Sequence, residues 1–431
     1  MNFNNEKSDY VNYVNDSKNC YLDFGSWFLE DCCYCNWTYH GKSLFDCAYC
    51  FRGENSYMCV KCENLYHCFY CQESKDISDC RYCYDCENCS FCVWCVGLRW
   101  KKYCIFNKQY TKEEYNKIIK KTWSIEEHKV LQKRYQDLKD NYIRNAMNIT
   151  NSEKSYGNDI KNTKNVVVSY EVDKWHDCKY CTEIVSQKDM MDVNNNGRSQ
   201  LHYEVIWFGY SNRLIGTLYC GECSDVYYSA YCQYSKNLFG CIWLKHKEYC
   251  VFNKQYTKEQ YEKLVSIIIE KMITDKERWE FHPSSINHFA YNETVANEHY
   301  PLTKDEALNK WYTRQDKEYP VNVPDDIDIV DGNTTNQWLS DKDILNSWIK
   351  CIVSGKLFRI VKLELDFYHK NSIKIPERHP DIRHAERMKS RPPRKLFLRE
   401  CEKCSSETLS VYNKNRVSKV YCESCYTKEI Y

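Results

Sequence analysis

At 431 residues, with a formal net charge of +1, the chain is long enough for two or three domains with sizeable cores, and it contains no apolar run of membrane-spanning length. The charge is uneven: residues 351–431 hold 18 Lys and Arg against 10 Asp and Glu, net +8, which leaves −7 on residues 1–350, so a polyanion would meet the C-terminal end. Only 12 glycines occur, and none forms a phosphate-cradling loop or a nucleophile elbow.

The first residues, MNFNNEKSDYVN, lack the charged-then-apolar layout of a secretory signal, so the expected location is cytoplasmic. Thiols are then expected to be reduced, and the odd total of 29 cysteines also argues against a disulfide framework.

From Cys20 to Cys104 there are 17 cysteines, and all except Cys33 fall in three columns of a nine-residue frame. In CRYCYDCENCSFCVWC (80–95) they recur at every third position, a period that fits neither a helix nor a strand. The frame returns at an offset of 146 residues: YCIFNKQYTKEEY (103–115) matches YCVFNKQYTKEQY (249–261) at all but two of thirteen positions. In the second copy Cys20 becomes Val166, Cys47 becomes Val193, Cys59 becomes Val205 and Cys68 becomes Leu214. A zinc site does not survive exchange of thiolate for Val or Leu, whereas a packing position does. The columns are therefore expected to face inward in a narrow β-solenoid, with residues nine apart stacking at about 4.8 Å; one or two nonapeptides per coil remain open. Calcium-binding nonapeptides share the period, but their glycine-rich signature is missing. The rival reading is a thiol-rich store for metal or redox equivalents.

Each copy ends in a capping box, Thr111-x-x-Glu114 and Thr257-x-x-Gln260, followed by apolar residues at helical spacing. These helices are expected to cap the solenoids. A further helix carries Leu131, Tyr135, Leu138 and Tyr142 on one face. In each FNKQY segment, Phe106 and Phe252 are expected to plug the last coil while Asn107 and Asn253 satisfy loose backbone groups. The alternative makes Lys108, Gln109, Lys254 and Gln255 contacts for a ligand. Aromatics such as Tyr49, Tyr57, Tyr82, Trp94 and Trp100 lie between the columns, either packed between layers or free to stack on bases.

After an irregular connector, a helix is expected from Asp341, with Leu345, Trp348, Ile349 and Ile352 on one face and Gly355 as its stop, and another over 358–370. CEKC (401–404) and CESC (422–425) then form two Cys-x-x-Cys knuckles joined by a hairpin. Cys401, Cys404, Cys422 and Cys425 read as the ligands of one structural Zn2+, with no open position for a catalytic water. In PERHPDIRHAERMKSRPPRKLFLR (376–399), Arg383, Arg387, Lys389, Arg391, Arg394 and Lys395 offer a phosphate-binding face beside that site. The same groups could instead clamp onto the acidic body. His379 and His384 read as ordinary surface histidines.

KKYCIFNKQYTKEEY, SINHFAYNETVANEHYPLTKDEA, IPERHPDIRHAERMKSRPPRKLFLRECEKC and YCESCYTKEIY together resemble an uncharacterised family of cysteine-rich zinc-ribbon proteins common in ultra-small candidate-phylum bacteria. The resemblance covers most of residues 80–431 and implies a zinc tail. Some members carry a CaiB/BaiF-type CoA-transferase label, for which this chain has neither the glycine-rich fold nor a placed nucleophile. The expected fold is mixed β-solenoid plus α: a first nonapeptide solenoid with helical cap (10–150), a second (156–275), an irregular connector (276–340), and a basic helical segment with a four-cysteine zinc ribbon (341–431). The expected function is non-enzymatic zinc binding, with nucleic acid held by the basic tail on a solenoid scaffold. A structural or protein-interaction scaffold is the alternative, and a thiol-rich metal or redox buffer a further one.

Overall fold

The computed structural model describes all residues except 1, 3, 121–124, 197–199, 279, 281, 285–288, 317–321, 336–339, 416–418 and 431. The fold is mixed α and β, dominated by parallel strands that pair in sequence order in an eight-stranded and an eleven-stranded sheet. Register fixes the repeat. Trp27 pairs with Tyr39, Tyr39 with Phe51 and Phe51 with Glu63, each parallel and offset by twelve residues. Cys178 pairs with Met190, Met190 with His202 and His202 with Leu214 at the same offset. The expected nine-residue stacking is thus replaced by twelve-residue stacking. Nine and twelve share the factor of three that sets which side chains face inward, so a nine-residue frame catches the same inward positions. Four inward columns run up each ladder rather than three.

The chain turns at every third residue, where a non-glycine side chain sits at positive φ, for example Tyr49 at 56°, Lys61 at 54° and Trp94 at 53°. A side of three residues spans at most about 10 Å, so the interior is narrow, filled mainly by thiols, hydroxyls and Val with some Leu, Ile and Met. In each triplet two backbone N–H groups reach neighbouring coils, and the N–H of the inward residue is left for a side chain. A serine one coil back often accepts it: Cys68 donates to Ser56 Oγ at 3.1 Å and Cys86 to Ser74 Oγ at 3.2 Å. Asn253 donates to Cys241 Sγ at 3.5 Å, so sulfur plays the same role. Each thiol also donates. Cys59 Sγ lies 3.5 Å from the Tyr57 carbonyl and 3.4 Å from that of Cys68, nine residues on. A small side chain that both donates and accepts suits this position, which is why Cys and Ser recur at every third residue. Cys33, the one cysteine outside the frame, packs on the outer surface with Phe45 and Phe367.

Four inward residues of the first ladder are large, Leu29, Leu44, Leu65 and Ile77, and Leu44 is fully buried. A Cβ at Gly41 would stand 2.5 Å from its Cδ1, and one at Gly53 3.2 Å. The two glycines vacate the volume that Leu44 fills.

The chain divides into two compact units, 1–142 with 317–391 and 143–316 with 392–431. Both capping boxes form, at the heads of Lys112–Ile119 and Lys258–Thr274. Asn107 bonds both backbone groups of Val96 at 2.8 Å, and Asn253 does the same to Ile242 at 2.8 and 3.0 Å, as expected of caps. The phenylalanines do not plug the coil: Phe106 stacks on Trp94 outside it, and Phe252 is 68% exposed. Their positive φ turns them outward. Tyr82, Phe91 and Trp94 pack under the helices, and Tyr57 under Phe367 and Tyr368, while Trp100 remains exposed.

Each unit also carries a small knuckle module, and the two modules repeat one another. Ile349 pairs antiparallel with Phe358, as Arg399 does with Thr408 fifty residues on. The intervening turns share their bonds: Cys351 N–H to Lys356 O and Gly355 N–H to Cys351 O match Cys401 N–H to Ser406 O and Ser405 N–H to Cys401 O. Ile352 N–H to Glu377 O likewise matches Glu402 N–H to Val420 O. This corrects two expectations. The helix from Asp341 ends at Asn346, and Trp348–Lys350 is a strand leading into the knuckle. Among the described residues the segment after CEKC pairs elsewhere than with itself: Glu407–Ser410 pairs with Phe397–Glu400, and Val420–Tyr421 runs parallel to Arg144–Asn145. The helix expected over 358–370 spans Lys362–Lys370.

Candidate metal centre and the basic segment

The CEKC knuckle sits at the tip of the hairpin formed by Phe397–Glu400 and Glu407–Ser410, and CESC leads into the helix Glu423–Ile430. The sulfurs of Cys401, Cys404, Cys422 and Cys425 all lie within 4.8 Å of one another, and no other such group occurs among the described residues. Cys404 Sγ and Cys422 Sγ are 3.8 Å apart. Cys401 is buried and accepts the Cys422 N–H at 3.3 Å, which ties the second knuckle to the first. The Ser406 hydroxyl lowers the Cys404 thiol, and Ser424 with neighbouring donors lowers Cys422 to about 6. Burial and the adjoining sulfurs push Cys425 up to about 12. Four thiolates this close repel one another, and a cation among them removes that repulsion. The quartet can hold a metal ion.

In the ladder interior the thiols bond to one another and shift in both directions: burial pushes Cys59 and Cys68 well above the ordinary thiol value, while hydrogen bonds from adjoining thiols pull Cys80 and Cys95 below it. The repeated module keeps Cys351 of its first knuckle but places Ser354 where the tail has Cys404, His379 where it has Cys422 and Ile382 where it has Cys425.

The guanidinium groups of the basic segment turn inward. Arg383 and Arg387 stand one turn apart on the helix Pro380–Lys389, each 3% exposed, and both donate to the fully buried carboxylate of Asp46, Arg387 at 2.7 Å. Arg383 also lies 4.7 Å over the Tyr34 ring, and Arg391 lies 3.6 Å over that of Tyr49. Arg394 donates to Glu171 at 2.5 Å. Lys389 and Lys395 are exposed. His379 caps the helix, its Nδ1 accepting the Asp381 N–H at 3.2 Å, and His384 lies within the same helix.

Beside Asp46, Glu364 is fully buried and accepts from Tyr34 Oη at 2.8 Å, Tyr368 Oη at 2.9 Å and the Val361 N–H at 2.8 Å. Burial raises its carboxyl to about 7, against the opposing pull of Arg383. Sequence reasoning missed both acids. A twelve-residue register would have shown Asp46 standing alone among Tyr34, Met58, Tyr70, Tyr82 and Trp94 in one outer column.

Compared with known proteins, the chain matches no family model and no curated protein. No helix among the described residues is long and apolar enough to cross a membrane.

Proposed function

We propose that the chain is a non-enzymatic, zinc-binding scaffold: two thiol-lined β-solenoids, each with a helical cap and a knuckle module, of which only the second module is a zinc ribbon. The observation that carries this reading is the sulfur quartet. A tetrahedral ion with bonds of about 2.3 Å sets its sulfurs about 3.8 Å apart, the separation found between Cys404 and Cys422. Such a site folds the tail and leaves no position for a substrate. The resemblance drawn from residues 80–431 points the same way. Protein contact is favoured over nucleic acid as the scaffold's role because Arg383, Arg387, Arg391 and Arg394 are all buried.

Nucleic-acid binding is the second reading, favoured by the exposure of Lys389 and Lys395 on a tail of net +8. It requires affinity for a generic duplex or RNA that falls steeply with salt. Elemental analysis combined with thiol counting tests the first reading. One zinc per chain is expected, lost on Cys401→Ser, with the ladder thiols free. Several metal ions per chain that survive Cys401→Ser would refute it and support the thiol store.

A further inference from the structure

The 146-residue offset maps one outer face of the first ladder onto the second. In the first unit that face is covered: Phe367 stacks on Phe45 at 4.1 Å, Tyr57 meets Tyr368 at 5.7 Å, and Arg383 and Arg387 converge on Asp46. The second ladder keeps the identities of three of these positions, with Tyr180 for Tyr34, Asp192 for Asp46 and Tyr203 for Tyr57. Met58 becomes Glu204, so a second acid joins the first one coil on.

Among the described residues no helix covers that face in the second ladder, where Glu280 approaches Tyr203 and Glu204. The tail module is shorter: 18 residues separate Phe358 from Glu377, and only 11 separate Thr408 from Val420. The residues of the helix Lys362–Lys370, which supplies Phe367 and Tyr368, have no counterpart in it. Among the described residues the tail module meets this face near its start, through Val168, Tyr170 and Glu171. Tyr180 is left 50% exposed and Met191 38%. Among the described residues no cation meets Asp192 or Glu204, and the Glu204 Oε2 is buried without a hydrogen-bond partner. Both carboxyls are raised, Asp192 by desolvation and Glu204 by desolvation and then by Asp192, with Glu280 adding further negative charge. Glu204 shares a hydrogen bond with Tyr203, but two neighbouring acids without a cation among the described residues cost stability, and an incoming guanidinium would offset their charge.

We propose that this face of the second ladder, Tyr180, Met191, Asp192, Tyr203 and Glu204, docks an amphipathic helix of a partner protein that carries two arginines one turn apart. Its binding mode copies the one the first unit makes with its own helix Pro380–Lys389. The inference rests on the scaffold reading but not on the metal, whose content is measured separately on the same sample.

The probe is a peptide of residues 377–391, held helical by a lactam between Lys389 and a glutamate introduced by Ala385→Glu, both positions being exposed. In the full chain the first face already holds its own helix, so the peptide reports on the second. Fluorescence anisotropy should show saturable binding, weakened about tenfold or more, roughly 1.4 kcal/mol, by Asp192→Asn with Glu204→Gln in the chain or by Arg383→Gln with Arg387→Gln in the peptide. The chain variant should melt no lower than the parent, since it removes two neighbouring like charges and leaves an amide able to bond Tyr203. Absent binding, or binding indifferent to these changes, overturns the proposal. A chain that dimerises instead, with the dimer lost in Asp192→Asn, overturns it in favour of a second copy as the occupant.

Discussion

At the residue scale the inward positions follow a rule of size and bonding. Many interior side chains are small, donate to a carbonyl and accept an N–H, others are apolar, and at Leu44 the extra bulk is compensated locally. Leu44 is compensated by Gly41 and Gly53. Gly41 carries no positive φ, so an added methyl is opposed by packing alone. Gly41→Ala is therefore expected to destabilise by about 1–3 kcal/mol, as overpacking does. Leu44→Ala also destabilises, through its cavity. The double variant should recover part of the sum, a coupling of about 0.5–3 kcal/mol in a denaturation cycle; strict additivity would mean that the two residues do not compete for one volume. The inward thiols and their packing role were legible because the second copy exchanges several of them for Val or Leu. The coil length was not, because every multiple of three satisfies the same pattern and only strand register separates nine from twelve.

At the element scale, the helices of the first unit sit on the ladder through a buried polar cluster. Asp46, Arg383 and Arg387 are each no more than 3% exposed, so removing one partner would strand the others in a low-dielectric site. Glu364 makes the docking depend on pH. Its folded-state pKa of about 7 lies above the ordinary 4.5, so between those values the folded state holds a proton that the unfolded chain has released. Its contribution to stability is therefore complete at low pH and declines as pH rises through that window, by up to about 1.4 kcal/mol per unit. Tyr34, Tyr368 and Arg383 face the carboxyl and remain charged or neutral as before across this range. Urea denaturation from pH 4.5 to 7.5 should show Glu364→Gln losing less stability with rising pH than the parent; identical slopes would show that the carboxyl is already ionised. Sequence placed Arg383 and Arg387 one turn apart and left open whether they meet a phosphate or the acidic body. The choice turns on Asp46, 337 residues from Arg383, a separation no local pattern reveals.

At the scale of the whole molecule the chain is written as ladder, ladder, module, module, and each unit takes one of each. The ladder duplication was legible because YCIFNKQY and YCVFNKQY are nearly identical; the module duplication was hidden because its first copy has lost three of the four knuckle cysteines and lengthened by a helix. The two modules should therefore respond oppositely to chelation. In the first, Phe358, Ile360, Leu365 and Tyr368 are buried and hold the fold without an ion. In the second, Val411, Tyr412 and Val420 are buried, but Cys404 is exposed, Cys422 and Cys425 are half-buried and the helix Glu423–Ile430 has no buried residue, so an ion held by the quartet is expected to supply the cohesion of the knuckles. Val420–Tyr421 pairs with Arg144–Asn145, so the loss propagates to the start of the second unit. Hydrogen exchange with and without a chelator should show protection falling over 397–430 and at Arg144–Asn145 while 348–389 stays unchanged. Equal loss in both modules would mean that the first also depends on metal, and no loss in the second would mean that its thiols are held by packing alone.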